Sequence, residues 1–248
     1  MTKVLVSGSR GKLATHLVEQ GWETEYFVMS LDRESMDITE RSSIGRALDK
    51  HKPDIFIHAA AYTRPMSKHQ ENADISLETN IIGTTNVVLE CMSRGIKLVY
   101  ISTDYVYPGV KGTHSEDEPL SPYAGNNDGV TKYGWSKLGG ECAVKMYDGS
   151  LILRVCMCNY PFPHAKAAID IKKSLMYDYE AAATVLQLLG EEGTINVGGP
   201  SQSVYDFVKQ TNQKIDKLSR KDIGDVLIAP DTSMNTSKMK SILRGKNE

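Results

Sequence analysis

Tyr133 and Lys137 stand four residues apart in the stretch Thr131-Lys132-Tyr133-Gly134-Trp135-Ser136-Lys137. On a helix, side chains at that spacing project from one face. A phenol beside an ammonium is chemically useful. The ordinary pKa of tyrosine is about 10, and a neighbouring positive charge favours the phenolate. Such a tyrosine can pass a proton to or from a substrate oxygen near neutral pH. The same spacing also decorates many surface helices, so the pair acquires meaning from the elements that precede it.

The first of these is a glycine turn. The pattern Gly8-x-x-Gly11-x-x-Ala14 spans Ser9, Arg10, Lys12 and Leu13. It follows the strand-like run Lys3 to Ser7 and opens a helix reaching about Gln20. In that setting the first glycine permits a tight turn and the second lets the backbone approach a pyrophosphate. Ala14 is small enough for helix–strand packing. The helix N-terminus offers free N–H groups and the positive end of a dipole to phosphates. Residues 8–13 are therefore expected to hold a dinucleotide. Asp32, at the end of the second strand, is placed to accept hydrogen bonds from an adenosine ribose. Arg10 and Arg33 lie close by, and either guanidinium suits a 2′-phosphate. The acid and the arginines point in opposite directions, with NADP(H) slightly preferred over NAD(H).

Strands alternating with helices must position these groups. Strands are expected at 25–29, 54–58, 97–101, 150–155 and 194–197. Helices are expected at 39–50 with Thr39 as N-cap, and as one long element over 73–94 whose apolar face includes Ile81, Val87, Val88 and Leu89. Further helices are expected from Tyr133 to about Lys145, over 178–189 and over 203–212. The segment 107–128 reads as a loop, 159–173 as irregular, and the C-terminus as a polar, lysine-rich tail. The alternation implies an α/β fold, a Rossmann-type doubly wound parallel sheet covered on both faces. Residues 1–158 would form the dinucleotide-binding domain. Residues 159–248 would form a small, trimmed substrate-binding lobe, interleaved with it rather than independent.

The 248 residues are 40% hydrophobic and 24% charged, with a net charge of −2. This is ordinary globular composition, without the basic footprint of a nucleic-acid or membrane binder. No apolar run approaches the ~18 residues of a membrane span, and the N-terminus lacks a signal-peptide design. Cys91, Cys142, Cys156 and Cys158 have neither metal nor disulfide spacing. His114, Glu116, Asp117 and Glu118 read as a solvated acidic loop, so no metal is expected. Lys166, Lys172 and Lys173 read as surface lysines, and His58 as a structural residue at a strand end. The expected compartment is a reducing cytoplasm.

Taken together, the glycine turn, Ala59-Ala60-Ala61, Ser102-Thr103-Asp104-Tyr105-Val106-Tyr107 and Tyr133-Gly-Trp-Ser-Lys-Leu-Gly-Gly-Glu141 resemble the extended short-chain dehydrogenase/reductases. Within them the chain is most similar to the dTDP-4-dehydrorhamnose reductase branch. The resemblance is close over 3–158 and returns at 193–207 and 231–243, which implies a chain that is not truncated. It implies a catalytic set of Thr103, Tyr133 and Lys137. It implies further cofactor contacts from Asp37, Ile38, Ala59, Ala60, Ala61 and Asn80, with Tyr133 and Lys137 also touching the cofactor. Substrate contacts would come from Thr103, Asp104, Tyr105 and Arg154. Tyr105 stands where related dehydratases carry Glu, which implies ketone reduction rather than elimination. The implied activity is NAD(P)H-dependent reduction of the 4-keto group of a nucleotide-linked 6-deoxyhexose. The implied partner is a nucleotide-sugar small molecule, with a homodimer admitted and no nucleic acid or membrane involved. Two other functions fit the same resemblance. One is a non-catalytic dinucleotide-binding subunit like the regulatory subunit of methionine adenosyltransferase. The other is a sugar-nucleotide epimerase or dehydratase retaining NAD⁺.

Overall fold

A computed structural model describes residues 1–63, 66–120, 131–224 and 228–246. Five strands with two-residue periodicity form its centre: β1 (Thr2–Ser7), β2 (Tyr26–Leu31), β3 (Ile55–His58), β4 (Lys97–Thr103) and β5 (Leu151–Val155). A sixth strand, Gly193–Val197, pairs with β5. All pairings are parallel, and the order is Gly193–Val197, β5, β4, β3, β1, β2. The sheet is therefore wound outward in both directions from the β1/β3 boundary. In such sheets ligands bind at the carboxyl ends of the strands, where the order reverses.

Side-chain alternation divides the core into two layers. Val4, Val6, Ile55, Ile57, Val99, Ile101, Leu151 and Leu153 face one side. There they meet Leu13, Ala14 and Leu17 of α1 (Lys12–Gly21). Leu5, Phe56, Leu98, Tyr100 and Ile152 face the other side and pack on Ile44 and Leu48 of α2 (Arg41–His51). Each such buried side chain contributes about 1.5–3 kcal/mol.

After β3 come the short helices α3 (Met66–Glu71) and α4 (Ala73–Ser76), a π-helical segment Leu77–Ile82, and α5 (Gly83–Arg94). The expected long helix is thus interrupted by a wide turn, and that turn carries Asn80. Val87 and Val88 are core residues, whereas Leu89 is exposed. α2 starts two residues later than expected, and the hydroxyl of Thr39 donates to Asp37 at 2.8 Å instead of capping the helix. α6 (Lys132–Val144) is capped by Thr131, whose hydroxyl accepts from the Gly134 N–H at 3.2 Å.

The remaining chain forms a small lobe. It includes α7 (Asp178–Leu188), which packs on α1, together with α8 (Val204–Lys209) and α9 (Ser237–Gly245). The stretch expected to be irregular contributes short strands at Lys166–Ala168 and Lys172–Lys173, and the lysine-rich tail becomes α9. The two short strands pair with segments distant in sequence, so local periodicity does not reveal them. Residues 121–128 of the expected loop lie outside the described residues.

Candidate active site

The glycine turn occupies the switch point. Gly8 has φ of +85°, and a Cβ there would lie 2.9 Å from the Cα of Ala60. Only glycine fits both the conformation and the close approach. The N–H groups of Gly8 and Ser9 donate to the Leu31 carbonyl at 2.9 and 3.1 Å, lashing the turn to the end of β2 beside Asp32. Gly11 precedes α1 with no side-chain cap. The first turn of a helix leaves N–H groups without intrahelical partners, which suits a pyrophosphate. The cradle therefore fits a dinucleotide. Arg10 and Lys12 are exposed around it, whereas Leu13 is buried in the core, so any contact it makes runs through its backbone alone.

The acids around the ribose position hold both arginines. Arg10 meets Asp32 at 3.2 Å and Glu34 at 2.7 Å; Arg33 meets Asp37 at 2.9 Å. The arginine side chains are 73% and 75% exposed, so solvent screens both sets of pairs. Asp32 titrates lower than an ordinary aspartate, first because Ser35 donates to it and then because Arg10 is adjacent. Asp37 is also lowered: burial opposes this, but hydrogen bonds from Thr39 and Arg33 outweigh it. The side chain of Ile38, an expected cofactor contact, is buried in the core beside Gly83.

The β3 end is fixed by a buried polar chain. The hydroxyl of Ser7 accepts from the N–H groups of Ala59 and Ala60 at 3.1 and 3.0 Å. It lies 3.0 Å from His58 Nδ1, while His58 Nε2 lies 3.0 Å from the Thr84 hydroxyl. Thr84 gives its only proton to the Asn80 carbonyl at 2.8 Å, so it must accept from Nε2–H, and Nδ1 accepts from Ser7. This chain requires a neutral imidazole. Burial and then the charge of Lys137 push the His58 pKa down to about 3, which makes the residue structural. Asn80 is buried and closes the wall: its amide donates to Tyr62 O and Ser136 Oγ, each at 2.9 Å, and accepts from Tyr62 N at 2.8 Å.

The catalytic candidates converge at the carboxyl end of β4 and the start of α6. Thr103 Oγ accepts from Tyr105 N at 3.3 Å and donates to Asp104 at 3.2 Å. Both bonds are long, so the hydroxyl can turn to a substrate oxygen at small cost. Tyr133 is half-buried, with its ring 5.8 Å from that of Tyr105 and 5.0 Å from that of His69. Lys137 is buried one turn later, its Nζ 4.0 Å from the centre of the Tyr100 ring. Burial lowers its pKa to about 7, with the charge of Glu141 opposing the shift.

Two expected substrate contacts serve the fold instead. Asp104 is buried and accepts from Lys173 and, at 2.5 Å, from Thr232, which ties the β4 end to the C-terminal lobe. Lys173 is accordingly a buried ion-pair partner rather than a solvated surface lysine. Burial works against its charge, but Asp104 beside it prevails and raises its pKa. Arg154 is fully buried and binds both carboxylate oxygens of Glu141, with Nη2 at 2.8 Å. The fixed acids satisfy both cations, and neither carries a free hydrogen-bonding fork. His114, expected in a solvated loop, is buried against Tyr107 and contacts Glu118 at 3.0 Å.

Tyr100, His69 and Glu141 are the site residues that motif reading did not single out. Glu141 lay inside the matched motif. Tyr100 reads as an ordinary strand residue, and His69 sits in a short polar helix with no pattern. A cavity of about 1160 Å³ opens on the other side of α6, lined by Trp135, Leu138 and Cys142 among others. Its lining includes Ser136 and Arg154 but neither Tyr133 nor Lys137. Among the described residues no cluster of metal-ligating side chains occurs, and no helix is long and apolar enough to cross a membrane.

Comparison with known proteins agrees with this geometry. The spore coat polysaccharide biosynthesis protein SpsK of Bacillus subtilis (strain 168) is 36% identical over 148 residues, covering 59% of this chain and 49% of that protein. A dTDP-4-keto-6-deoxy-D-glucose reductase of Streptomyces niveus is 32% identical over 141 residues, covering 56% of this chain and 46% of that protein. The chain thus spans about half the length of the curated relatives it matches. In structure it is similar to a dTDP-4-dehydrorhamnose reductase from Bacillus anthracis str. Ames in complex with NADP. The TM-score is 0.85 at 25% identity, covering 99% of this chain and 94% of the other. Residues 1–158, which hold the glycine turn, the β4 end and the Tyr133–Lys137 helix, match the family model described as RmlD substrate binding domain, and the chain belongs to that family.

Proposed function

We propose that the chain is an NAD(P)H-dependent oxidoreductase of the short-chain dehydrogenase/reductase superfamily. It reduces the 4-keto group of a nucleotide-linked 6-deoxyhexose for deoxysugar and polysaccharide synthesis. The observation that carries this reading is the convergence of Tyr133, the buried Lys137 and the β4-end Thr103 beside the glycine-turn switch point. The names of the matched relatives and the NADP in the similar structure support it. Residues 1–158 serve as the dinucleotide-binding domain and 159–248 as the substrate lobe, with the strand Gly193–Val197 returning to the sheet. The cofactor is NADP(H) in preference to NAD(H), because two exposed arginines flank the ribose acid. The setting is the cytoplasm.

When bound, the reduced nicotinamide supplies hydride to the carbonyl carbon. The chain's own residues manage the oxygen. Thr103 turns its hydroxyl to the carbonyl oxygen and orients it. Tyr133 donates its phenolic proton to that oxygen as negative charge builds there. Lys137, in a site shielded from water, stabilises the phenolate that remains. Tyr105 packs edge-on to Tyr133 and helps to orient its ring. The test is to supply reduced cofactor with dTDP-, UDP-, GDP- and CDP-linked 4-keto-6-deoxy sugars in turn. Consumption of cofactor with one of them supports the activity; no consumption with any rules it out.

A further inference from the structure

Lys137 is buried, yet the acid closest to it in sequence is already committed. Glu141, one turn on, accepts from Ser102 Oγ at 2.5 Å and from Arg154 Nε and Nη2 at 3.0 and 2.8 Å. Arg154 pairs with Glu141, whose charge only partly offsets the effect of burial on Lys137. His58, on β3, is held neutral by the Ser7–Thr84 chain described above, and Tyr133 lies one turn back on the same helix. What faces the ammonium directly is an aromatic ring. Tyr100, on β4, has no exposed surface, and its ring centre is 4.0 Å from Lys137 Nζ. Its hydroxyl lies 3.4 Å from the main-chain carbonyl of Lys137, at the long limit of a hydrogen bond. Gly140 makes room for this: a Cβ there would lie 2.3 Å from the Tyr100 hydroxyl. His58 backs the ring, with centroids 5.5 Å apart.

We propose that Tyr100 is the positioning residue for Lys137, its ring face seating the ammonium on the inner side of α6 through a cation–π contact. This role rests on the reading of Lys137 as the partner of Tyr133. A ring face attracts a cation more strongly when desolvated, because no water competes for the charge. The seat therefore offsets part of the cost of burying Lys137, and it does so without a carboxylate that would clamp the amine away from cofactor and substrate.

The test replaces Tyr100 in the full chain with phenylalanine, then with phenylalanines carrying increasing ring fluorination, which keeps shape while draining the ring face of negative potential. The Lys137 amine is followed by nitrogen NMR across pH, and folding by thermal melting. Tyr100→Phe is expected to leave the Lys137 titration midpoint within a few tenths of a pH unit, because the ring remains. Fluorination is expected to lower the midpoint stepwise, by about one pH unit for the most fluorinated ring, a roughly ten-fold fall in the ratio of charged to neutral amine. In turnover assays the alkaline limb of the pH profile should move down in step. If all the rings give one midpoint with melting temperature unchanged, the seat is only packing and the proposal falls. The amine titration needs neither sugar nucleotide nor turnover, so an error in the proposed substrate leaves it intact.

Discussion

Arg154 and Glu141 form a doubly hydrogen-bonded ion pair whose side chains have no exposed surface. The pair joins β5 to α6 behind the Tyr133–Lys137 face. A buried pair adds little net stability over apolar replacements, but breaking it strands an uncompensated charge. Arg154→Met should therefore destabilise the protein by about 3–5 kcal/mol, and the double change Arg154→Met with Glu141→Leu should recover most of that loss. Denaturant unfolding of the three variants checks this as a double-mutant cycle. Additive losses would show that the two residues act separately.

His58 should make the protein acid-sensitive. Its folded pKa, about 3, lies well below the ordinary histidine value of 6.5. The depressed folded value means that the unfolded chain takes up the proton first. The contribution is complete above about pH 6.5 and is lost as pH falls toward 3. The slope within that window is up to ~1.4 kcal/mol per pH unit. His58→Asn cannot titrate and should lose stability less steeply over the same range. Thermal melts of both proteins at matched pH values test this; parallel curves would mean that His58 takes up its proton alike in the folded and unfolded chain.

Arg10 and Arg33 offer a choice of cofactor rather than a fixed one. Each is exposed and already paired, Arg10 with Asp32 and Glu34, Arg33 with Asp37. Arg10→Ala should weaken NADPH binding about ten-fold, the scale of one hydrogen bond to a charged group, and leave NADH binding nearly unchanged. Fluorescence titration with both dinucleotides is the measurement. An equal effect on both would remove Arg10 from the 2′-phosphate and turn attention to Arg33.

The sheet and its two-layer core are legible in the chain because apolar strand runs and helical periodicity are local signals. Val4, Leu5 and Val6 announce their faces without any partner in view. The glycine turn is legible for the same reason, since turn, pyrophosphate approach and helix start fall within seven consecutive residues. The ion pair of Asp104 with Lys173 is not, because the partners lie 69 residues apart and the strand carrying Lys173 is two residues long. Arg154 misleads in a similar way. A strand-end arginine looks available to a ligand until the position of Glu141 is known. Leu13 and Ile38 follow the glycine and aspartate signals in sequence, but their apolar side chains obey burial instead. The Tyr100 seat is invisible from sequence, since a tyrosine in a buried strand satisfies the core pattern without further explanation.

Tyr133 carries the central claim, and one substitution tests it most directly. Tyr133→Phe keeps the ring that packs against Tyr105 and His69 and removes the phenolic hydroxyl with its proton. Turnover of reduced cofactor with the accepted 4-keto sugar nucleotide should fall by about 10²–10⁴-fold, the usual worth of a general acid, while dinucleotide binding stays within a few-fold of the unsubstituted protein. Normal turnover in Tyr133→Phe would contradict the account.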